Sequence, residues 1–530
     1  MFELTRRKLV IGASAVAALP ELAFAQEGVR GGTLRAIILP EPAHLCTGIN
    51  PASANVIVAA NIFDALVVYD EKMQLQPSLA TSWEIASDGK SIRFNLRKGV
   101  KWHDGVDFTS ADVVFSVMKM LKVTHPIAKQ AFANVVDVEA PDPHTAIFKL
   151  SESSPVVLNC LSFTDAPITP KHLYDGTDFA TNPYNTKPVG TGAFIFKEWK
   201  RGDYIVLERN PNYWDQGKPY LDKIIFRIIP DAGARAAALE TGEAQYAALS
   251  AVPLIDAVRL AKSASVTVQK AGYEYVAPSY MIEFNLKRKP FQDLRVRQAF
   301  AYAIDRKKMA QTVWYGFAKP ATGPLPSSAV PYYTPKVPDY AYDPKKAEAL
   351  LDAAGLKRGS NGVRLSITHD YMPFGDDFKR GAEFIKQELQ KVGVDVTVRS
   401  SDVPSYISRV YGNYDFDTQS LWLARFADPQ MGVERSYASW AYVKGTPMTN
   451  ASGYSSPATD DLFKRAHVEK DTAKRAQLYH EFQVLAQTDL PIVPLLELQF
   501  FTVFSKKLKG VSATPEAAYL SLKNVWLEKS

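Results

Sequence analysis

From Asp343 to Val398 the chain alternates helix and strand, and this alternation restricts its fold more than any other feature. Asp343 is a good N-cap, Pro344 suits a first helical position, and Gly355 can close the helix in the left-handed conformation. A strand is expected at Val363–Thr368, then a helix from Asp376 to Val392 ended by Gly393, then a strand at Val394–Val398. Such an αβαβ succession requires a sheet whose strands are joined by helical crossovers. Apolar spacing predicts one helix over Arg295–Val313, with Val296, Ala299, Phe300, Ala303 and Ile304 on one face. Further helices are expected at Val403–Tyr411, Ala458–Lys470 and Ala473–Thr488, and a strand at Ile492–Leu498.

The first half reads differently. A strand at Thr33–Leu39 stops at Pro40-Glu41-Pro42, and Ala52–Phe63 has helical spacing. Short alternating segments then predict two hairpins, one around Ser87-Asp88-Gly89-Lys90 and one joining Val135–Glu139 to Thr145–Leu150, with a helix at Ser110–Leu121 between them. A chain of 530 residues exceeds the usual ~100–200 residues of one domain. The expected class is therefore α/β, in two lobes, the first carrying a β-rich insert.

Residues Met1 to Ala25 read as an export signal. Arg6-Arg7-Lys8 form a positive segment, Leu9–Leu19 an apolar one, and Ala23-Phe24-Ala25 a cleavage site. The arginine pair also fits a twin-arginine signal, so the export route stays open. The formal charge of +6 is small for this length, and no face-concentrated basic run suggests nucleic acid. Two cysteines, Cys46 and Cys160, exclude a disulfide scaffold, and whether they pair is open.

The search for catalytic chemistry returns little. His480-Glu481 lacks the second histidine of a zinc protease motif, and no nucleophile elbow or phosphate loop occurs. Ser116-Val117-Met118-Lys119 has the spacing used by penicillin-interacting enzymes, without their other two elements. His103 reads as a structural hydrogen-bond donor in a turn. Asp376-Asp377 and Asp460-Asp461 are explained by favourable charge in the first turns of helices. No catalytic residue, cofactor or metal site is expected, and the histidines have no metal-ligand spacing.

Asp104-Gly105-Val106-Asp107-Phe108-Thr109-Ser110-Ala111-Asp112-Val113-Val114-Phe115-Ser116 resembles the signature of family 5 extracellular solute-binding proteins. These are the dipeptide, oligopeptide and nickel binders of ABC importers. Pro77–Glu84, Pro188–Phe194, Asn210–Trp214 and Phe284–Arg306 agree with its other motifs, with Ala193 replacing a usual proline. The resemblance implies a two-lobe periplasmic-binding-protein clamshell. Lobe I would comprise 26–272 plus 494–530, with 70–184 as its β-rich subdomain, and lobe II would be 273–493. With the export signal cleaved after Ala25, the expected product is a periplasmic protein acting as a monomer, its oligomeric state left open by the sequence. Its partners would be a peptide or small-molecule ligand and an ABC permease and ATPase complex. A sensor or chaperone on the same scaffold is the alternative reading, and a hydrolase a more distant one.

Trp422-Leu423-Ala424-Arg425-Phe426-Ala427-Asp428-Pro429 resembles the stretch whose aspartate receives the α-ammonium in peptide-binding members. Here Arg425 occupies that place, which reverses the charge. A charge-assisted hydrogen bond contributes about 1.5–3 kcal/mol, so the pocket is expected to prefer a carboxylate where peptides place their amine. Alternatively Arg425 pairs with Asp428 or turns to solvent, and Asp428 serves the amine. Tyr280, Asn285, Arg409 and Trp422 are further pocket candidates, as is Glu41 after the first strand. Trp422 would supply an apolar platform with one donor.

Overall fold

The computed structural model describes residues 28–426 and 428–529; the expected export signal lies outside them. Two mixed sheets dominate. The first contains, in spatial order, Val266–Gln269, Thr502–Ser505, Tyr246–Ala247, Thr33–Ile38, Lys223–Ile228, Tyr204–Arg209 and Phe194–Lys200. The second runs Ala318–Pro320, Ile492–Leu498, Ser279–Phe284, Thr418–Leu423, Leu365–Tyr371 and Val394–Arg399. Each organises one lobe of the clamshell.

The alternating segment behaves as its pattern requires. Leu365–Tyr371 pairs in parallel with Val394–Arg399, and the helix Asp376–Lys391 is the crossover, burying Phe378, Ala382, Phe384, Ile385 and Leu389. Asp343 accepts a hydrogen bond from the Lys346 amide and caps Pro344–Ala353. The expected single helix over Arg295–Val313 is instead two, Leu294–Ala303 and Arg306–Thr312. Ile304 is extended, and Asp305 accepts from the Lys308 amide, starting a new helix. Residues of both helices bury into one core cluster, so apolar spacing alone conceals the cap.

In the first lobe a four-stranded antiparallel sheet, Ala80–Ile85, Ser91–Leu96, Thr145–Leu150 and Val135–Asp142, forms the β-rich subdomain. Gly190 and Gly192 let their turn lie on the backbone of Ile62: a Cβ at Gly190 would stand 1.8 Å from the Ile62 carbonyl oxygen. His103 fastens the same turn, accepting from the Gly190 amide at Nδ1 and bonding the Gly192 carbonyl through Nε2. Burial lowers its pKa to about 4, so the ring stays neutral as both bonds require. Ser116 is buried and bonded to the backbone of Thr169, while Lys119 is exposed. Cys46 and Cys160 are buried free thiols.

The chain crosses between the sheets twice, through 270–278 and through 499–501. The second crossing falls five residues later than the expected start of the returning segment at 494. Pro494–Leu498 stay in the second sheet because Ile492–Leu498 is paired on both sides, with Ser279–Phe284 and Ala318–Pro320. Tyr273 on one crossing and Thr502 beyond the other bond through their hydroxyls at 2.7 Å.

Candidate functional site

The second crossing closes the back of a cavity of about 600 Å³ lined by both lobes. Lobe I contributes Pro40, Ser53 and the segment around Leu249–Leu254; lobe II contributes Trp314, Phe374, Asp377, Phe378 and Trp422. Phe500, on the second crossing, meets Trp422 edge-on at 5.2 Å between ring centroids. The lobe I wall is held in an unusual backbone. Leu249 and Ser250 are consecutive left-handed residues, φ 56° and 53°, a conformation that side-chain-bearing residues adopt only when surroundings impose it. Here the Leu249 amide donates to the Tyr273 hydroxyl and the Ser250 amide to the Phe501 carbonyl. Both partners lie on the crossings, so this wall is tied to the hinge.

The opposite wall is aromatic. Tyr280 is fully buried behind it, 4.7 Å from Trp314 and 6.0 Å from Phe378 between centroids. Gly381 makes that packing possible, since a Cβ there would come within 2.7 Å of the Tyr280 hydroxyl and 2.9 Å of Trp314.

A second inter-lobe cavity, about 570 Å³, lies between the β-rich subdomain and lobe II. At its edge Arg475 and Asp428, 1% and 0% exposed, form two hydrogen bonds of 2.8 Å. Asn159 of lobe I donates to the same carboxylate at 2.8 Å, and Gln130 reaches the Gln430 carbonyl at 3.2 Å. The lobes are thus joined by direct hydrogen bonds.

The sequence-derived candidates distribute unevenly over these features. Trp422 lines the hinge-side cavity. Tyr280 supports the cavity wall without lining it. Asp428 pairs with Arg475 rather than with Arg425, because helix Thr472–Asp489 brings Arg475 beside it. Asn285 is buried in a turn, donating to the carbonyls of Tyr414 and Phe416. Arg409 lies 3.4 Å from the buried carboxylate of Asp370. Glu41 accepts from Trp199 Nε1 and the Gly202 amide, anchoring a hairpin, while its neighbour Pro40 reaches the cavity.

Arg425 is 2% exposed and lines neither inter-lobe cavity. Its guanidinium bonds the Gly432 carbonyl, Ser436 Oγ and Met281 Sδ. Beside it, Arg435 bonds the carbonyls of Gly432 and Ala424. Burial, then repulsion from Arg425, lowers the Arg435 pKa to about 10. Among the described residues neither arginine has a carboxylate within 4.0 Å.

Sequence reasoning missed Leu249, Ser250, Trp314, Phe374, Phe378 and Phe500. The one available signal was Gly381, a glycine inside a strongly amphipathic helix, where close packing is the usual reason for a residue that weakens helices.

Comparison with known proteins places this geometry. The model for bacterial extracellular solute-binding proteins, family 5 middle, matches residues 74–484. The glutathione-binding protein GsiB of Escherichia coli K12 is 28% identical over 489 residues, covering 89% of this chain and 91% of the relative. Helicobacter pylori DppA, solved with the peptide STSA, superposes with a TM-score of 0.79 at 28% identity, covering 94% of this chain and 99% of that one. AgaA of A. tumefaciens R10, solved with agropinic acid, gives 0.76 at 27% identity, with coverages of 94% and 99%.

Proposed function

Because the chain belongs to the family 5 bacterial extracellular solute-binding proteins, we propose that it captures a peptide or peptide-like, carboxylated small solute between its lobes and delivers it to the permease of an ABC importer. The observation that carries this reading is the hinge-side cavity. It is walled by both lobes and backed by the second crossing, so a ligand there contacts each lobe and favours the closed arrangement by its differential affinity for it. The relatives that bind glutathione, a peptide and agropinic acid fit this ligand class. The protein acts without catalysis, as an exported periplasmic monomer with its signal removed after Ala25. Lobe II, as the sheet pairing divides the chain, extends to Leu498.

Of the candidates, Trp422 is the ligand contact, as a platform within the cavity. Arg425 and Arg435 line neither inter-lobe cavity, so the acidic part of this ligand class rests on the relatives that bind glutathione and agropinic acid.

The test is native mass spectrometry of the protein purified from periplasm, followed by thermal shift against dipeptides, tripeptides, glutathione and opines. A co-purifying solute, and a rise of several degrees with one of these classes that is diminished in Trp422→Ala, is the expected result. No co-purifying solute and no shift with any class would refute the reading.

A further inference from the structure

The hinge-side cavity contains one charged lining residue, Asp377, among six aromatic side chains: Trp314, Phe317, Phe374, Phe378, Trp422 and Phe500. Asp377 sits in the first turn of helix Asp376–Lys391 without capping it, since the Gly375 N-cap position has no side-chain bond. Its carboxylate is 34% exposed, and its ion-pair partner is Arg380, at 3.3 Å from Oδ1. That arginine is mainly engaged elsewhere: it bonds the Val313 carbonyl and the Tyr315 hydroxyl and stacks over the Tyr315 ring at 4.9 Å. Among the described residues, Oδ2 of Asp377 receives no hydrogen bond. A carboxylate with an open oxygen at the wall of an aromatic cavity matches the chemistry of an ammonium ion. The carboxylate supplies a charge-assisted hydrogen bond, and the ring faces attract a cation.

We propose that Asp377 is the specificity-determining residue of this cavity, receiving the ammonium group of a ligand whose apolar body lies against the aromatic wall. The inference rests on the reading of the cavity as the ligand site and adds the charge of the ligand end that enters it. It assigns the amine-binding role to helix Asp376–Lys391, in place of the position after Trp422 where Arg425 stands. Desolvation raises the Asp377 pKa, with the neighbouring Asp376 adding to the shift and Arg380 opposing it; an incoming cation would counter the effect of burial.

The experiment is isothermal titration of the purified protein with leucyl-phenylalanine and with N-acetyl-leucyl-phenylalanine, which differ in the ammonium group. Wild type should bind the free dipeptide at least tenfold more tightly. Asp377→Asn, nearly isosteric on an exposed helical turn, should reduce the free dipeptide to the level of the acetylated one and leave the latter unchanged. Asp377→Glu should retain part of the preference. Equal binding of the two peptides by wild type, or equal losses for both in Asp377→Asn, would overturn the assignment while leaving a solute-binding protein. If neither peptide binds, the assignment also fails; whether a solute co-purifies then decides the functional reading separately.

Discussion

Asp428 and Arg475 show how much a buried charge depends on its partner. Both are almost fully enclosed, and removing one member of such a pair costs about 3–5 kcal/mol, because the other stays buried uncompensated. Arg475→Ala should therefore lower stability by that amount in urea unfolding. Asn159→Ala, which removes one bond to Asp428 and leaves the pair, should cost roughly 1–3 kcal/mol. Two other buried carboxyls set a pH dependence. Burial raises Asp165, facing Glu516, to about 7; burial also raises Glu283 to about 7. Both exceed their ordinary values of 3.8 and 4.5, so between about pH 4 and 7 the folded chain holds protons that the unfolded chain has released. Their contribution to stability is full at the acid end and declines as pH rises to 7. Asp165→Asn, which can still accept from Tyr275, should gain on wild type between pH 5 and pH 8 in parallel unfolding curves. Asp428 was recognised in the sequence as a charged candidate. Its partner lies 47 positions away, and no local pattern could supply it.

At the scale of elements, N-caps and helical turns were legible because they are local. Asp343 and the helix over 376–391 rest on residues within a few positions of one another. Asp305 was legible in principle, being a good capping residue, but the continuous apolar period around it hid the break. Asp305→Ala should cost about 1 kcal/mol, as loss of an N-cap does. Gly190→Ala should cost more than Asp305→Ala, since its Cβ would strike the Ile62 backbone, which cannot rotate away. Thermal unfolding of the two variants side by side checks the order. Gly381→Ala would crowd Tyr280 and Trp314 and cost about 1–3 kcal/mol as overpacking, and it should weaken ligand binding as well, because that wall lines the cavity.

For the whole molecule, the second crossing lines the cavity through Phe500, while the first, carrying Tyr273 and Tyr275, supports its surroundings. Tyr275 bonds the buried Asp165 of lobe I, and Tyr273 holds the left-handed Leu249 wall. A ligand in the cavity should make the lobes move less independently. Small-angle scattering should show a smaller radius of gyration with ligand than without, and Trp422 and Trp314 should change the intrinsic fluorescence on binding. The sequence by itself determined the class of fold, the two lobes, the β-rich insert and the family, because helix and strand periods and turn motifs are read within one segment. Only the tertiary structure decided which side chains share the cavity. Trp422, Asp377, Leu249 and Phe500 come from four distant segments, and the folding of both sheets brings them together. It likewise separated Arg425 from Asp428: a helix 47 residues further on supplied a better-placed guanidinium, and the buried carboxylate took it.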